Sequence, residues 1–253
     1  AAAPVDEPHA AIHEIRKRCK KLRGLVRLVR PGFAHYAAEN AAIRDLARGL
    51  SGLRDLEALV ETHDRLMTRA PEAAGRFAPL RTALTRRRAD APATIGAETR
   101  DALDALAERI PSWRVDANPG RTLRDGLRKT WERAAAAHRA ARRAPTVASM
   151  HEWRKRTKYH WHHCRLLEEA WAPMLQARAA EAKRLSDILG DHHDLALYAD
   201  FIASEGTEAI RPEARVELER LADSALAELE RGAFGLGARF HAEPPKNASK
   251  RIA

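Results

Sequence analysis

The sequence predicts an all-α protein made of two duplicated four-helix-type bundles. Its composition favours helices, because Ala, Leu, Arg and Glu dominate and aromatic residues make up only 5% of the chain. Duplication is indicated by a stretch that occurs twice, 138 residues apart. Residues 13–20 read His-Glu-Ile-Arg-Lys-Arg-Cys-Lys, and residues 151–158 read His-Glu-Trp-Arg-Lys-Arg-Thr-Lys. A chain of 253 residues can bury a sizeable core around such bundles without disulfides.

The duplication extends to a second segment in each half. Residues 46–56 read Leu-x-x-x-Leu-Ser-Gly-Leu-Arg-Asp-Leu, and they match residues 185–195, which read Leu-x-x-x-Leu-Gly-Asp-His-His-Asp-Leu. The halves, predicted as residues 9–117 and 118–243, each carry a basic helix, a second helix and a break ending in Asp-Leu. We therefore expect pseudo-two-fold symmetry, with the two basic helices facing a basic central cavity.

Proline and glycine mark the helix ends of the first half. Pro31-Gly32 ends the first basic helix, Ser51-Gly52 breaks the chain before the third helix, and a loop with Pro92 precedes the fifth. Residues 111–120 contain two prolines and form the predicted linker, and residues 1–8 form a disordered lead-in. The predicted helices of this half span residues 9–30, 35–50, 53–69, 71–88 and 97–110.

Proline and glycine also mark helix ends in the second half. Its predicted helices span residues 121–143, 149–168, 173–190 and 213–231. After the second of the two matching Leu-x-x-x-Leu segments, the Asp-His-His-Asp run at 191–194 forms a junction from which a helix continues to about Ser204. The tail from Pro244 is expected to be frayed. The helix over 121–143 has no counterpart before residue 9, so either the first half lacks it or the given chain begins after it.

Helical spacing separates an apolar face from a basic face in both copies of the motif. Cys19 and Val26 lie on the apolar face of the first copy, and Trp153 and Cys164 on that of the second. The basic faces consist of His13, Arg16, Lys17, Lys20, Arg23 and Arg27 in the first copy, and of His151, Arg154, Lys155, Lys158, His162 and Arg165 in the second. Like charges at this spacing destabilise a helix. A charge run is most often a solvated face, but its repetition favours a surface that binds an anion.

The net charge of +10 indicates a polyanionic partner, namely nucleic acid, polyphosphate or an anionic membrane surface. No apolar run has the length of a transmembrane helix. The two cysteines, Cys19 and Cys164, fall on the apolar faces, and we expect them to be reduced thiols in a cytoplasmic protein.

These residues resemble the CHAD family, the conserved histidine α-helical domain. The resemblance covers residues 9 to about 240, and it implies two four-helix bundles around a basic cavity that binds inorganic polyphosphate, with some members on polyphosphate granules. The family pattern maps onto His13, Arg16, Lys17, Lys20 and Arg23, and onto His151, Arg154, Lys155 and Lys158. Residues 159–161 depart from the Lys/Arg-Leu-Arg of the pattern, and His162 and Arg165 are candidates to replace the missing basic contact.

Two groups of residues suggest a metal site. His160 and Cys164 are spaced i,i+4, and His192 and His193 lie between two aspartates. The first group lacks the two further ligands of a closed site at any recognisable spacing. In the second group, at a helix junction, Asp is more often a helix cap and His a neutral contact, so we expect no metal. The chain also lacks a P-loop, a dinucleotide-binding glycine motif, a nucleophile elbow and a carboxylate cluster for Mg²⁺. His13 and His151 could accept a phosphoryl group, but hydrogen bonding to an anion is the favoured role, and we expect no cofactor and no enzyme.

The leading hypothesis is therefore non-catalytic binding of inorganic polyphosphate. Additional contacts are expected from Arg44, Arg124, Arg128 and Lys183, of which Arg44 and Lys183 match in the repeat. One alternative is a nucleic-acid-binding protein, for which Trp161 is the candidate stacking residue while Trp153 is assigned to the core. Another is an enzyme that processes polyphosphate or triphosphates. The expected location is the cytoplasm, in association with polyphosphate granules.

Overall fold

A computed structural model describes residues 8–50, 52–91, 95–115, 118–204 and 209–247, without the side chains of residues 8–10 and 52–54. Within these ranges the chain forms nine long helices and no strand, which confirms the all-α prediction. The helices are α1 (Pro8–Leu28), α2 (Tyr36–Gly49), α3 (Gly52–Arg69), α4 (Ala74–Asp90), α5 (Ala97–Arg109), α6 (Pro119–Arg143), α7 (Val147–Leu166), α8 (Ala172–Ser204) and α9 (Pro212–Phe240).

Local sequence explains several of the helix ends. Asn118 caps α6, because its side chain accepts a hydrogen bond from the backbone N–H of Arg121 at 2.9 Å. Thr146 and Ser149 form a capping box that begins α7. Pro31 lies in a single 3₁₀ turn, Arg30–Gly32, directly after α1. The break predicted at Ser51 and the loop at Pro92 lie outside the described residues, although α2 ends at Gly49 and α3 begins at Gly52.

The break predicted after Gly190 is wrong. Helix α8 runs without interruption through Asp191 and Asp194, so these aspartates are not caps. Both carboxylates instead lie within 4 Å of the guanidinium of Arg65 on α3, at 3.8 and 3.9 Å. A glycine inside a helix costs only about 1 kcal/mol. A Cβ at Gly190 would lie 3.4 Å from Nε of Arg154, which is an ordinary contact with the end of a flexible side chain.

The predicted end of the last helix near Arg231 is also wrong, because α9 continues to Phe240. The segment after Arg231 contains glycines at 232, 235 and 237, but tertiary packing holds it in a helix. A Cβ at Gly237 would lie 2.4 Å from the Trp153 ring, so the absence of a side chain lets α9 rest directly on the indole. Burial against Trp153 therefore outweighs the low helix propensity of glycine.

The buried side chains form four clusters that join the helices. The largest cluster packs α3 and α4 against the second part of α8 and the first part of α9, and another packs α6 and α7 against the first part of α8 and the second part of α9. A third joins the end of α1 to α6, α7 and α8, and a fourth joins α1 to α2 and α5. The first of these cores thus contains helices from both sides of residue 117. The division into halves, their pseudo-two-fold symmetry and the central cavity stay predictions.

Candidate polyanion-binding site

The two basic helices meet where Gly24 of α1 lies against His162 of α7. A Cβ on Gly24 would be only 3.0 Å from the Cβ of His162, so a glycine is needed for this close approach. Next to it, Nε2 of His163 lies 2.9 Å from the carbonyl oxygen of Gly24. His162 and His163 are both buried at this crossing. The crossing thus fixes the basic face of α1 beside that of α7.

Gly24 and His162 occupy equivalent positions in the two copies of the motif, since they are separated by the same 138 residues. Contact between equivalent positions is the arrangement that a two-fold axis between two helices requires. This one contact agrees with the predicted pseudo-two-fold relation, which stays a prediction for the basic residues on either side of it.

On α1 the apolar and basic faces separate as predicted. Cys19 and Val26 are buried, while His13, Lys17 and Lys20 are exposed. Two arginines reach across to α2: Arg16 donates to the carbonyl oxygen of Ala47 at 2.9 Å, and Arg23 donates to Oδ1 of Asn40 at 3.4 Å. Lys17 pairs with Glu14 at 3.1 Å.

On α7 the corresponding residues are more enclosed. The rings of His151 and His193 are in contact, with their centroids 4.1 Å apart and their planes tilted by 43°, near the charge of Arg154. Burial, followed by the charges of Arg154 and Lys155, lowers the pKa of His151. The ammonium group of Lys158 lies 4.3 Å from the centre of the Trp161 ring, and burial lowers its pKa. Lys155 pairs with Glu152 one turn away.

Lysines of both helices act on His162 through their charges. Burial is the main cause that lowers the pKa of His162 to about 4, and Lys158, Lys20 and Lys21 contribute through their charges. The Nε2 atom of His162 is buried without a hydrogen-bond partner among the described residues. Lys20 of α1 and Lys158 of α7 are therefore both close enough to affect one imidazole, which is neutral in the free protein.

A family model for the CHAD domain matches residues 2–203. The chain belongs to the CHAD family. No curated protein and no solved structure matches it. In the described part of this CHAD domain, no helix is long and apolar enough to cross a membrane.

The other predicted site residues of the CHAD domain are distributed unevenly. Lys183 of α8 lies close enough to Lys158 to affect its pKa, and it pairs with Asp187 at 2.6 Å. Its repeat counterpart Arg44 is exposed and forms a bidentate pair with Asp45, at 2.8 Å for both contacts. Arg165 is exposed, with Glu168 at 4.0 Å.

Arg124 and Arg128 lie on the side of α6 that faces away from α1. Each is two positions from Gly126, about 200° around the helix, and Gly126 is the residue that touches α1. Asp125 lies within 4 Å of both guanidinium groups. The structure therefore does not bring these two arginines to the crossing of α1 and α7.

Sequence reasoning missed a second group of cations on the inner side of α6. Lys129 and Arg133 lie one and two turns after Gly126 and face Arg27, Arg30 and Arg156 across a small pocket. Of these five residues only Arg27 was predicted as part of the site. The available signal was Gly126, a glycine inside a long helix, which indicates a close contact with another helix. The sequence does not show which helix makes that contact.

The histidines and tryptophans that suggested other functions have structural partners. His160 is fully buried, stacks on Trp131 at 4.2 Å and accepts a hydrogen bond from Arg178 at 2.9 Å. Trp153 lies in the core, as predicted. Cys164 is a buried free thiol, and burial raises its pKa to about 12. Among the described residues no group of three or more His, Cys, Asp or Glu side chains is placed to hold a metal ion.

Proposed function

We propose that this CHAD domain binds inorganic polyphosphate, without catalysis, through the basic faces of α1 and α7. The observation that carries the proposal is the crossing of the two duplicated helices at Gly24 and His162, where lysines of both helices are close enough to lower the pKa of one buried imidazole. A single chain with a phosphate charge on every unit could contact both faces at once. Membership of the family supports this assignment, because polyphosphate binding is what the sequence resemblance implies.

The residue types suit a polymer of phosphates that has no bases. Arginine presents forked donors to phosphate oxygens, and lysine acts as a compact point charge. Polyphosphate needs no aromatic platform, whereas single-stranded nucleic acids are bound largely by stacking. Trp161, the candidate stacking residue, has the ammonium group of Lys158 over its ring. We therefore treat nucleic acid as a competing polyanion rather than as the ligand.

The absence of catalysis is part of this proposal. His151 contacts His193 and cations, and its lowered pKa makes it neutral near pH 7 and suited to hydrogen bonding with a phosphate oxygen. We also propose that the protein acts in the cytoplasm, where it would associate with polyphosphate granules. A turnover assay with Mg²⁺ or Mn²⁺ and a long polyphosphate tests the non-catalytic part, and release of orthophosphate above a no-protein control would contradict it.

A binding titration with polyphosphates of graded length, DNA and RNA tests the function. Affinity is expected to rise with chain length until one chain spans both basic faces, and to fall steeply with salt because counterions are released from the polyanion. Triphosphate should bind far more weakly than a long chain. Stronger binding of duplex DNA than of polyphosphate at matched phosphate concentration would overturn the proposal.

A further inference from the structure

A compact pocket lies beside the end of α1, on the side of α7 away from most of its basic face. Nine residues line it, from α1, the 3₁₀ turn at Arg30–Gly32, α6 and α7. Five of the nine are cations and none is a carboxylate, namely Arg27, Arg30, Lys129, Arg133 and Arg156. Cations from four separate elements thus converge on one small space.

Two glycines bring the walls of this pocket together. A Cβ on Gly126 of α6 would lie 1.8 Å from the carbonyl oxygen of Leu28, and a Cβ on Gly32 would lie 2.6 Å from Oγ1 of Thr122. No side chain fits at either position, so α6 packs directly against the end of α1 and the turn that follows. This contact holds Lys129 and Arg133, which follow Gly126 on the same face of α6, opposite Arg27 and Arg30.

The cations of the pocket are short of negative partners. Within the described part of the chain only Arg156 is paired with a carboxylate, at 2.6 Å from Glu152, and that carboxylate also pairs with Lys155. The guanidinium of Arg27 lies 4.0 Å from the centre of the Tyr159 ring, and its Nε is buried with no hydrogen-bond partner among the described residues. Arg30 lies over the Tyr36 ring at 4.8 Å.

The local electrostatics are unfavourable without an anion. Burial, and then the charges of Arg30 and Arg156, lower the pKa of Arg133. Burial also lowers the pKa of Arg27. Arginine nevertheless stays charged, so the folded protein holds several partly desolvated positive charges side by side. Such an arrangement is stabilised when a compact anion with several oxygens accepts hydrogen bonds from the forked donors.

We propose that this pocket binds one tetrahedral phosphate group, supplied by the end of a polyphosphate chain or by free orthophosphate. The end-group source rests on the proposed function, whereas the orthophosphate source does not. Arg27 belongs to the predicted basic face of α1 and also lines the pocket, so the end of a chain lying on that face would reach the pocket at this residue. An end phosphate carries more charge and more free oxygens than an internal one, which suits a site with five cations.

The test compares a pocket variant with a matched control on the same helix. Lys129→Gln/Arg133→Gln removes two charges spaced i,i+4 from the pocket side of α6. Arg139→Gln/Arg143→Gln removes two charges with the same spacing from exposed positions outside the pocket. Calorimetric titrations use linear tripolyphosphate, which has two end groups, cyclic trimetaphosphate, which has none, and orthophosphate. Thermal denaturation shows whether each variant is folded, and Arg30→Gln provides a second pocket variant from a different element.

The pocket variant is expected to bind linear tripolyphosphate about tenfold or more weakly than the control does, with cyclic trimetaphosphate unchanged. That result supports the end group as the source. If wild type binds orthophosphate and both pocket variants do not, the result supports free orthophosphate as the source of the phosphate group. The inference is overturned if the pocket variants match the control with all three probes. Long-chain binding by wild type is a separate measurement, so its absence would contradict the proposed function while leaving an orthophosphate site intact.

Discussion

Helices α1 and α7 carry nearly the same motif but offer it to a ligand in different surroundings. The cations of α1 are largely exposed, and its two interior arginines are tied to α2. Of the cations of α7 only Lys155 and Arg165 are exposed, and burial lowers the pKa of both His151 and Lys158. Charge interactions are stronger where water is excluded. Duplicated sequence can therefore provide one accessible and one desolvated half of a single site.

The largest effect is expected from reversing the charges of the two copies separately. Lys17→Glu/Lys20→Glu on α1 and Lys155→Glu/Lys158→Glu on α7 should each weaken binding of long polyphosphate by about 100-fold or more, because each change replaces attraction with repulsion. The α7 variant should lose more, since Lys158 is partly buried. Titration at fixed ionic strength measures both.

Two controls accompany this comparison. Arg86→Glu/Arg100→Glu makes the same change in net charge at exposed positions of α4 and α5, and it should cost far less affinity. Because Lys158→Glu places a carboxylate near Asp187, Lys155→Gln/Lys158→Gln serves as the milder α7 variant. Equal loss in the reversal variants and the Arg86/Arg100 control would mean that net charge, not the crossing, governs binding. Unfolding of the α1 variant would show that its basic face is structural.

Acid should destabilise the fold chiefly through the histidines of α7. Burial lowers the pKa of His162 and of His163 to about 4, below the ordinary value near 6.5. Between these values the unfolded chain binds more protons than the folded one, so stability falls as pH drops from about 6.5 towards 4. Each such shift corresponds to roughly 3 kcal/mol. Denaturant unfolding at a series of pH values measures this loss, and His162→Gln should reduce it. A free energy of unfolding that is constant from pH 7 to 4.5 would contradict the burial of these neutral rings.

The helix pattern could be predicted from the sequence better than the site could. Pro31 and the Thr146 cap mark helix ends locally, and the spacing of Cys19 and Val26 correctly gives the buried side of α1. The prediction ended helices near Gly190 and Arg231, whereas Gly190 and Gly237 both lie inside helices, each against a side chain of α7 that is distant in sequence. Whether a glycine ends a helix or lets another helix pack closely depends on these tertiary contacts. The spacing of residues along one helix does not reveal them.

Which residues belong to the site depended even more on contacts between residues that are distant in sequence. Arg124 and Arg128 were selected as the basic residues of α6, but Gly126 turns the opposite side of that helix towards α1. Lys129 and Arg133 thereby reach the end of α1 instead. Periodicity separates the two faces of α6, and only the contact at Leu28 shows which of them points inward.

The contact between equivalent positions, Gly24 and His162, is expected to resist enlargement. Gly24→Val should destabilise the protein by about 1–3 kcal/mol, because the added atoms meet the Cβ of His162 rather than a movable side-chain end. Gly75→Val is the matched control, since nothing lies within 4 Å of a Cβ built on Gly75 in α4. Its effect should stay within about 0.5 kcal/mol. Denaturant unfolding compares them, and equal stability of the two variants would mean that α1 and α7 do not approach closely in solution.

The smallest expected effect is the pH dependence of binding, and the structure changes its predicted range. The sequence alone placed an increase in affinity below about pH 6.5, through protonation of His13, His151 and His162. In the folded protein, burial lowers the pKa of His151, and that of His162 to about 4, so these two take up protons only at lower pH unless a polyanion is bound. A bound chain of phosphates raises the pKa of a neighbouring imidazole, so its complex binds more protons than the free protein does. Affinity must then increase as pH falls, by a few-fold between about pH 7 and 5.5 if one histidine is involved.

Replacing His151 with Gln should remove part of this increase, and replacing His13 with Gln measures the contribution of the exposed copy. Titrations at constant ionic strength, in the range where unfolding controls show an intact protein, separate the two copies. An affinity that decreases with acid in the folded range would show that neither imidazole faces the bound polyanion.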